Sequence, residues 1–383
     1  MSTASWTYSK FRLNDDFQFS ECDLDHTIRI YNKYNIKPES LDKVRVDFLI
    51  QKEKLVRYVI KELDILLKVN GIFEINLIDS KNHSSYFLSR DQVQYEFSIS
   101  TDGRYVLTDI EKNGMYLKLI YTKKIPILFD YDSINKWSFG IITNGKKLDS
   151  VNHLIKTIID QKIPEFEIII CGPYPTNQNV DYGPIRILSD VELKEDIRFP
   201  ISAKKNKIIS DAKFENLCIL HDRFSLPSCW FDQMKLYGNY FDYLCLPTLD
   251  QFHNRFAVDW MTFGFPLTRR LYRNNSLKYS EWSTDLIIQG GAIVGKSKKM
   301  RRYKLDERLH WGELEDLHFS KVAYLDGALI SIDPENYFFS ESVNHISLKN
   351  QNLKARLKNH FGWIYSIFIS YYKFKKAISQ FSK

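Results

Sequence analysis

Residues 309–327, LHWGELEDLHFSKVAYLDG, combine residue types that can do chemistry around one predicted helix start. Trp311 is followed by three carboxylates within four positions, Glu313, Glu315 and Asp316. Acidic side chains in a first helical turn are stabilised by unpaired backbone N–H groups and by the positive end of the helix dipole. A carboxylate beside an aromatic wall is also what an enzyme uses to take a proton from a hydroxyl. The segment alone leaves both interpretations open.

A second set of polar residues follows segments that predict the strands of an open α/β sheet. WSFGIITNGKK, a helical segment and EIIICGPYPT form a strand–helix–strand unit, and IRILSD and LCILHDRF are two further apolar strands. The last two strands end on Asp190 and Asp222. Ligands of such sheets bind at the carboxyl ends of the strands. These two aspartates are therefore predicted to meet a nucleotide or a metal.

The segment ISAKKNKIISDAKFENLCILHDRF resembles the nucleotide-sugar half of a GT-A glycosyltransferase of the family 2 type. That family's pattern is roughly A-R-N-x-G-I, an alanine, a strand and D-x-D. The matching positions here are Lys205-Asn206 for R-N, Ala212 for the alanine and His221-Asp222-Arg223 for the acidic motif. Ile208 replaces the glycine, and one aspartate remains in the triplet.

The resemblance implies a site that neutralises a departing diphosphate, by a divalent metal (Mn or Mg) or by basic side chains. It implies Asp222 as a metal ligand, with His345 in ESVNHISL as a second one. The implied donor-binding residues are Thr143, Asn144, Gly172, Asp190, Lys205, Asn206 and Arg223. The structural alternative for the triplet is a polar strand end with a surface ion pair worth little.

The opening segment resembles another part of the same family, where W-G-G-E-D or G-x-E-D starts a helix beneath the acceptor. The resemblance implies Asp316 as the base that deprotonates the attacking hydroxyl and Glu315 as the residue that orients the acceptor. Glu313 is shifted by one relative to the family's motif and is an alternative both for the base and for the orienting residue. The implied acceptor-binding residues are Trp311, Gly290 and Gly291, the two glycines because backbone must pass close to something there.

The N-terminal part of the chain has a different pattern. Apolar residues at helical spacing predict a helix over 52–69, which Asn70-Gly71 would end. GIFEINLID is β-rich, and YEFSISTDGRYVLTDIEKNGMYLKLIYTKK predicts three strands joined at Asp102-Gly103 and Asn113-Gly114. This order resembles the C-terminal half of a class I S-adenosylmethionine methyltransferase. Because no Gly-rich loop precedes it, the resemblance implies a degenerate domain that serves as a scaffold.

Composition excludes several classes of protein. With 383 residues, 44% hydrophobic and 26% charged, the chain is predicted to be globular with two domains. Its five cysteines, an odd number without a C-x-x-C pair, argue against a disulfide framework and a zinc site and fit a reducing cytosol. The N-terminal segment lacks a signal-peptide pattern, and no stretch approaches the ~18 apolar residues of a membrane span.

The net charge of +7 belongs to the C-terminal tail. From Lys349 onward the chain has eight Lys and Arg and no Asp or Glu, and the remainder is close to neutral, which argues against a nucleic-acid partner. Residues 353–378 predict a basic, aromatic-rich amphipathic helix that lies in an anionic membrane interface. A helix docked on its own protein is the alternative.

Together these patterns predict an α/β protein. A degenerate methyltransferase-like domain over 1–130 would precede a GT-A domain with a Rossmann-like open sheet over 131–348 and an amphipathic helix over 349–383. The predicted function is inverting transfer of a sugar from a nucleotide-sugar donor to a lipid-linked or polysaccharide acceptor. The enzyme would be cytoplasmic and peripherally bound to the inner face of the membrane. A methyltransferase and a noncatalytic glycan- or nucleotide-binding scaffold are the alternatives.

Overall fold

The computed structural model describes residues 16–19, 25–47, 55–80, 88–127, 131–175, 185–188, 199–256, 258–264 and 273–341. Over these ranges the chain is a mixed α/β protein with two main sheets. Asp190, His345 and the predicted tail helix lie outside the described residues. Within the described ranges no helix combines the length and apolar character needed to cross a membrane.

The first main sheet has five strands in the order β1-β2-β3-β5-β4. Its strands are β1 (Asp16–Phe19), β2 (Leu41–Val46), β3 (Leu67–Ile78), β4 (Tyr105–Asn113) and β5 (Tyr116–Lys123). Its helices are α1 (Ile30–Tyr34), α2 (Val56–Leu66) and α3 (Arg90–Ser100). Strands β1, β2 and β3 are parallel, and β5 lies antiparallel between β3 and β4. The β4–β5 hairpin turns at the predicted Asn113-Gly114, with Gly114 at φ 60°.

Two predictions for this half are wrong. The α2 helix ends at Leu66, so Asn70-Gly71 lies inside β3 instead of stopping a helix. Asn70 has φ 65°, and the pairing of β3 with β2 shifts register beside it. Asparagine and glycine accept that left-handed backbone, which here forms a bulge and not a helix end.

The second wrong prediction is the strand over YEFSIS, which belongs to α3. Ser89 caps this helix, because its side chain accepts from the Gln92 backbone N–H while the Gln92 side chain accepts from the Ser89 N–H. Val93, Phe97 and Ser100 then form its buried face at spacings of four and three. The Asp102-Gly103 turn, with φ 50° and 67°, joins α3 to β4.

The remaining strands are β6 (Lys136–Ile142), β7 (Glu165–Cys171), β8 (Ile185–Leu188), β9 (Asn216–His221), β10 (Phe224–Ser225), β11 (Tyr243–Cys245), β12 (Thr248–Leu249), β13 (Met261–Gly264), β14 (Arg273–Ser276), β15 (Leu286–Ile287), β16 (Ala292–Lys296), β17 (Ile330–Ile332) and β18 (Phe338–Ser340). The helices are α4 (Leu148–Ile159), α5 (Ile201–Asp211), α6 (Trp230–Tyr237), α7 (Ser297–Arg302) and α8 (Glu315–Leu325). Seven strands form the second main sheet, in the order β17-β11-β16-β9-β6-β7-β8. Two small sheets, β10-β18-β12 and β14-β13-β15, accompany it.

The predicted strand–helix–strand unit is confirmed as β6, α4 and β7, and β8 and β9 extend the same parallel sheet. These strands are continuous apolar runs because helices cover both faces of such a sheet. Ile142 pairs with Cys171 on one side and with His221 on the other. The carboxyl ends of three parallel strands therefore meet at one edge. The β16 strand inserts antiparallel between β9 and β11.

The two halves share a packed interface. Arg57 of α2 donates from Nη1 to the carbonyls of Tyr324 and Ala328 at the end of α8, and it pairs with Glu96 at 2.9 Å. Gly327 has φ 87°, and a Cβ there would lie 2.2 Å from the Ile99 carbonyl oxygen at the end of α3. This close approach requires glycine at position 327.

Candidate active site

Two predicted donor-binding residues, Thr143 and Gly172, meet the predicted metal ligand Asp222 at the carboxyl edge of the seven-stranded sheet. The Thr143 hydroxyl donates to Asp222 Oδ2 at 2.9 Å. Gly172 has φ 137°, and a Cβ there would lie 2.1 Å from the Thr143 carbonyl oxygen. Buried Lys204 donates from Nζ to that same oxygen at 3.0 Å. The edge is thus tightly packed around Thr143, with one Asp222 oxygen already engaged by a hydroxyl.

The glycine pair lies beside Arg223 and Asp316. Because β16 runs antiparallel to β9, the residues before β16 meet those after β9, and His221 N donates to Gly291 O at 3.0 Å. A Cβ at Gly291 would lie 3.1 Å from Arg223 Nη2, and one at Gly290 would lie 2.9 Å from Asp316 Oδ2. A side chain at either glycine would therefore crowd the Arg223 guanidinium or the Asp316 carboxylate.

The predicted helix start at the E-D pair is confirmed, since α8 begins at Glu315 after Leu314 with φ 65°. Buried Glu315 accepts from Lys205 Nζ at 3.2 Å. The Asp316 carbonyl accepts from the Ser320 hydroxyl at 2.6 Å, and that hydroxyl accepts from Ile288 N at 2.8 Å. Ser320 thus fixes the first turn of α8 beside the chain that leads into the glycine pair.

Three ionisable groups of this cluster, Asp316, His221 and Arg223, have shifted pKa values. Burial, reinforced by the neighbouring charge of Glu315, raises the pKa of Asp316, while Lys205 opposes the rise. Burial, helped by Lys205 and Arg223, holds the pKa of His221 well below 6.5, so its ring is neutral. Burial lowers the pKa of Arg223, and Asp222 counteracts it. A raised carboxyl pKa in a cleft is a property of groups that accept protons during catalysis.

Two donor-capable atoms in the cluster are buried without a hydrogen-bond partner among the described residues, Arg223 Nε and His221 Nε2. The Arg223 guanidinium also has no carboxylate within ion-pair distance in the part of the chain that the structure describes, and its carbon lies 5.4 Å from the centre of the Phe224 ring. An unpaired buried polar atom is costly. A ligand that supplied acceptors here would remove that cost.

Three other predicted site residues, Asn206, Asn144 and Trp311, have different surroundings. Asn206 donates to Leu305 O at 2.8 Å and to Glu307 Oε1 at 2.9 Å, so its amide fixes a loop. Asn144 is exposed, and its side-chain oxygen accepts from Lys146 N at 3.0 Å. Trp311 is 61% exposed. Among the described residues no three His, Cys, Asp or Glu side chains are grouped to hold a metal.

Sequence reasoning missed Lys204 and Ser320. Both are buried and hold backbone of the cluster in place. Lysine side chains are usually exposed, so nothing in the sequence indicates that Lys204 is buried. Ser320 had a signal, because it stands four residues after Asp316, where a serine hydroxyl can bond back to the helical carbonyl.

No protein-family model matches the sequence, and no curated protein matches it. Solved structures of S. aureus TarS are distantly similar. TarS 1–349 has a TM-score of 0.37 and 16% identity, over 54% of this chain and 60% of that one. The same fragment in complex with UDP-GlcNAc has a TM-score of 0.36 and 14% identity, over 56% and 60%. This chain spans less than two thirds of those structures, and so distant a likeness carries no argument about function.

Proposed function

We propose that this chain is a GT-A-type glycosyltransferase that moves a sugar from a nucleotide-sugar donor to an acceptor hydroxyl. One observation carries the proposal: Arg223 and Asp316 flank the Gly290-Gly291 backbone at the edge where three parallel strands end. Sugar transfer needs a cation for the leaving diphosphate, a base for the attacking hydroxyl and an open space between them. Arg223 would supply the cation and Asp316 the base, and the two glycines add no side chain beside either group.

On the donor side, Arg223 would bind the diphosphate. Its guanidinium remains charged in proteins, and its partially buried surroundings strengthen the attraction to phosphate oxygens. Thr143 and Gly172 would shape the nucleotide edge, as would Asn144 and, outside the described residues, Asp190. Lys205 is bound to Glu315, so it would attract the diphosphate through its positive charge without contacting it.

Among the described residues, this edge offers a divalent metal one carboxylate. Asp222 supplies one carboxylate, of which one oxygen accepts from Thr143. Magnesium sites commonly use one or two carboxylates together with substrate phosphates, so a single aspartate is compatible with the chemistry. Bound Mn²⁺ or Mg²⁺ would neutralise charge on the diphosphate. The proposed ligands are Asp222 and His345.

On the acceptor side, Asp316 would take the proton from the attacking hydroxyl as the new bond forms, which gives an inverting displacement. The raised pKa of Asp316 supports this role, because a base works best when its pKa approaches the working pH. Glu315 would help to orient the acceptor and to set the charge around Asp316. The exposed ring of Trp311 would support one face of the acceptor.

The remaining proposals concern the ends of the chain. The N-terminal half is proposed as a methyltransferase-like scaffold, which its three parallel strands followed by an antiparallel hairpin support. Residues 349–383 are proposed to bind the inner face of the membrane, where a lipid-linked or polysaccharide acceptor would be elongated. Deletion of 349–383 should then release the protein from anionic vesicles while turnover on a short soluble acceptor persists.

The proposal is tested by incubating the protein with a panel of sugar nucleotides, with and without manganese, and measuring release of nucleoside diphosphate. We expect release from one donor, stimulated by a glycan acceptor. Tight nucleotide binding without turnover on any donor would identify a noncatalytic scaffold. Consumption of S-adenosylmethionine would instead identify a methyltransferase.

A further inference from the structure

A second cavity lies between the two halves of the molecule, away from the Asp316 cluster. Its volume is about 340 Å³, within the ~300–1,000 Å³ of small-molecule pockets. It is lined by α2, by the turn before β4, by residues 125–127, by residues 240–242 and by α7. Nothing in the proposed sugar transfer uses it.

The cavity has an excess of positive charge. Six basic and four acidic side chains line it, and each acid is already paired. Glu62 accepts from Arg29 at 2.8 Å, and Asp64 accepts from Arg104. The same holds for the other two acids, with Asp242 bound to Lys61 at 2.8 Å and Asp102 to Lys299 at 2.9 Å. A cationic ligand would therefore find no free carboxylate here.

Several basic side chains, by contrast, have a nitrogen without a partner among the described residues. Arg29 is 5% exposed, and its Nη1 is buried without a hydrogen-bond partner among the described residues. Arg104 Nε is in the same state. Lys298 lines the cavity from an exposed position and forms no ion pair with the residues that the structure describes. Because buried unpaired N–H groups are costly, these side chains favour an anionic guest.

The rest of the wall is apolar. Ile65, Ile125, Ile127, Phe241 and Leu329 contribute side chains to it. Water in such a space would gain few partners, whereas a hydrocarbon or aromatic body would bury apolar surface. An inorganic ion would satisfy the donors and leave this wall unused.

We propose that this cavity binds a small organic anion, with a carboxylate or phosphate directed at Arg29, Arg104 and Lys298 and an apolar body against the isoleucine wall. The site is independent of the proposed sugar transfer. Because both halves line it, the ligand would hold them together and raise the melting temperature.

The test is calorimetric titration of the full chain with phenyl phosphate and with benzoate, which separate the phosphate and carboxylate sources of the anion. Benzyl alcohol and inorganic phosphate are the controls for the apolar body alone and the charge alone. We expect one of the two aromatic anions to bind at one site, at least about ten-fold more tightly than either control, and to raise the melting temperature.

Two variants locate the binding. Lys298→Glu reverses an exposed charge at the rim, and Ile125→Trp fills the wall at a half-exposed position; neither breaks an ion pair among the described residues. Both should weaken binding by about ten-fold or more, whereas Lys162→Glu, an exposed lysine away from the cavity, should leave it unchanged. The proposal is overturned if neither aromatic anion binds, or if benzyl alcohol or inorganic phosphate binds as tightly as the aromatic anions. It is also overturned if both cavity variants bind the anion with wild-type affinity.

Discussion

The two halves of the molecule surround an aspartate in opposite ways, buried Asp64 in one and half-buried Asp316 in the other. Burial would raise the pKa of Asp64 in the five-stranded half, but Arg104 and Lys123 outweigh it and hold the pKa below 3.8. In the seven-stranded half burial and Glu315 together raise the pKa of Asp316. The first carboxylate is committed to an ion pair, whereas the second is prepared to accept a proton. The opposite pKa shifts of these two aspartates therefore follow from the charges of their neighbours.

The largest expected effect distinguishes the two aspartates by activity. Asp316→Asn keeps the shape of the side chain and removes its basicity, so kcat should fall by ~10²–10⁴-fold with little change in donor KM. Steady-state release of nucleoside diphosphate measures both constants. Glu313→Gln is the matched control, because Glu313 accepts from His310 N at 2.9 Å within its own turn. Normal turnover in Asp316→Asn with an inactive Glu313→Gln would transfer the role of base to Glu313.

The second prediction concerns Asp64 and the stability of the five-stranded half. Asp64→Asn removes the buried carboxylate that Arg104 and Lys123 share and leaves them only the more exposed Asp102 and Glu39. This loss should cost up to about 3–5 kcal/mol in the free energy of unfolding. Because the folded pKa is depressed, the wild-type contribution should be complete above pH 3.8 and lost as the pH falls below it. Denaturant titrations across this pH range measure it.

The control for Asp64 is Asp42→Asn. Asp42 is 51% exposed and pairs with Lys68 on the surface of the same half, so its replacement should cost less than about 1 kcal/mol. Equal losses in both variants would show that the buried network contributes no more than a surface pair.

The third prediction concerns the donor side of the seven-stranded half. Arg223→Gln should weaken donor binding by about 10–100-fold, the range expected for a hydrogen bond to a charged group. If manganese enhances donor binding, Asp222→Asn should remove that enhancement and leave the affinity without manganese unchanged. Neither substitution should lower the melting temperature much. Calorimetry with the donor, with and without manganese, measures both. Undiminished donor affinity in Arg223→Gln would remove this residue from the site.

The smallest effect is a shift in pH dependence. Glu315 raises the pKa of Asp316 by like-charge repulsion, so Glu315→Gln should move the acid limb of the kcat/KM profile to lower pH. Lys205, freed from its partner, would act in the same direction. Glu165→Gln, an exposed site at the start of β7, is the control and should leave the limb in place. A shift to higher pH would contradict the assigned charge balance.

The sequence predicted the position of three of the site residues. Thr143, Gly172 and Asp222 follow three apolar strands, and parallel strands bring their carboxyl ends to one edge. The contact of Gly290 with Asp316 was beyond such reasoning, because it depends on the antiparallel insertion of β16 beside β9. Lys205 illustrates the same limit, since its partner Glu315 lies 110 residues away.

The errors in the N-terminal half have local causes. Asn70-Gly71 is a turn signal because both residues tolerate positive φ, and a bulge uses the same property within a strand. Only the register of β2 against β3 decides between them. The α3 helix did carry its own signal, the capping pair Ser89 and Gln92, which outweighs the apparent alternation of apolar residues over YEFSIS.

The contacts at the end of α8 have an evolutionary consequence for the N-terminal half. Arg57 donates to the carbonyl of Tyr324 in the last turn of α8 and to that of Ala328 just after it, and Gly327 allows α3 to approach within a distance that no side chain would permit. Selection for the proposed role of Asp316, at the other end of that helix, would therefore also act on codons of a half that need not have chemistry of its own. We expect substitutions in descendants of this chain to accumulate along exposed β4 and to be rare at Arg57 and Gly327.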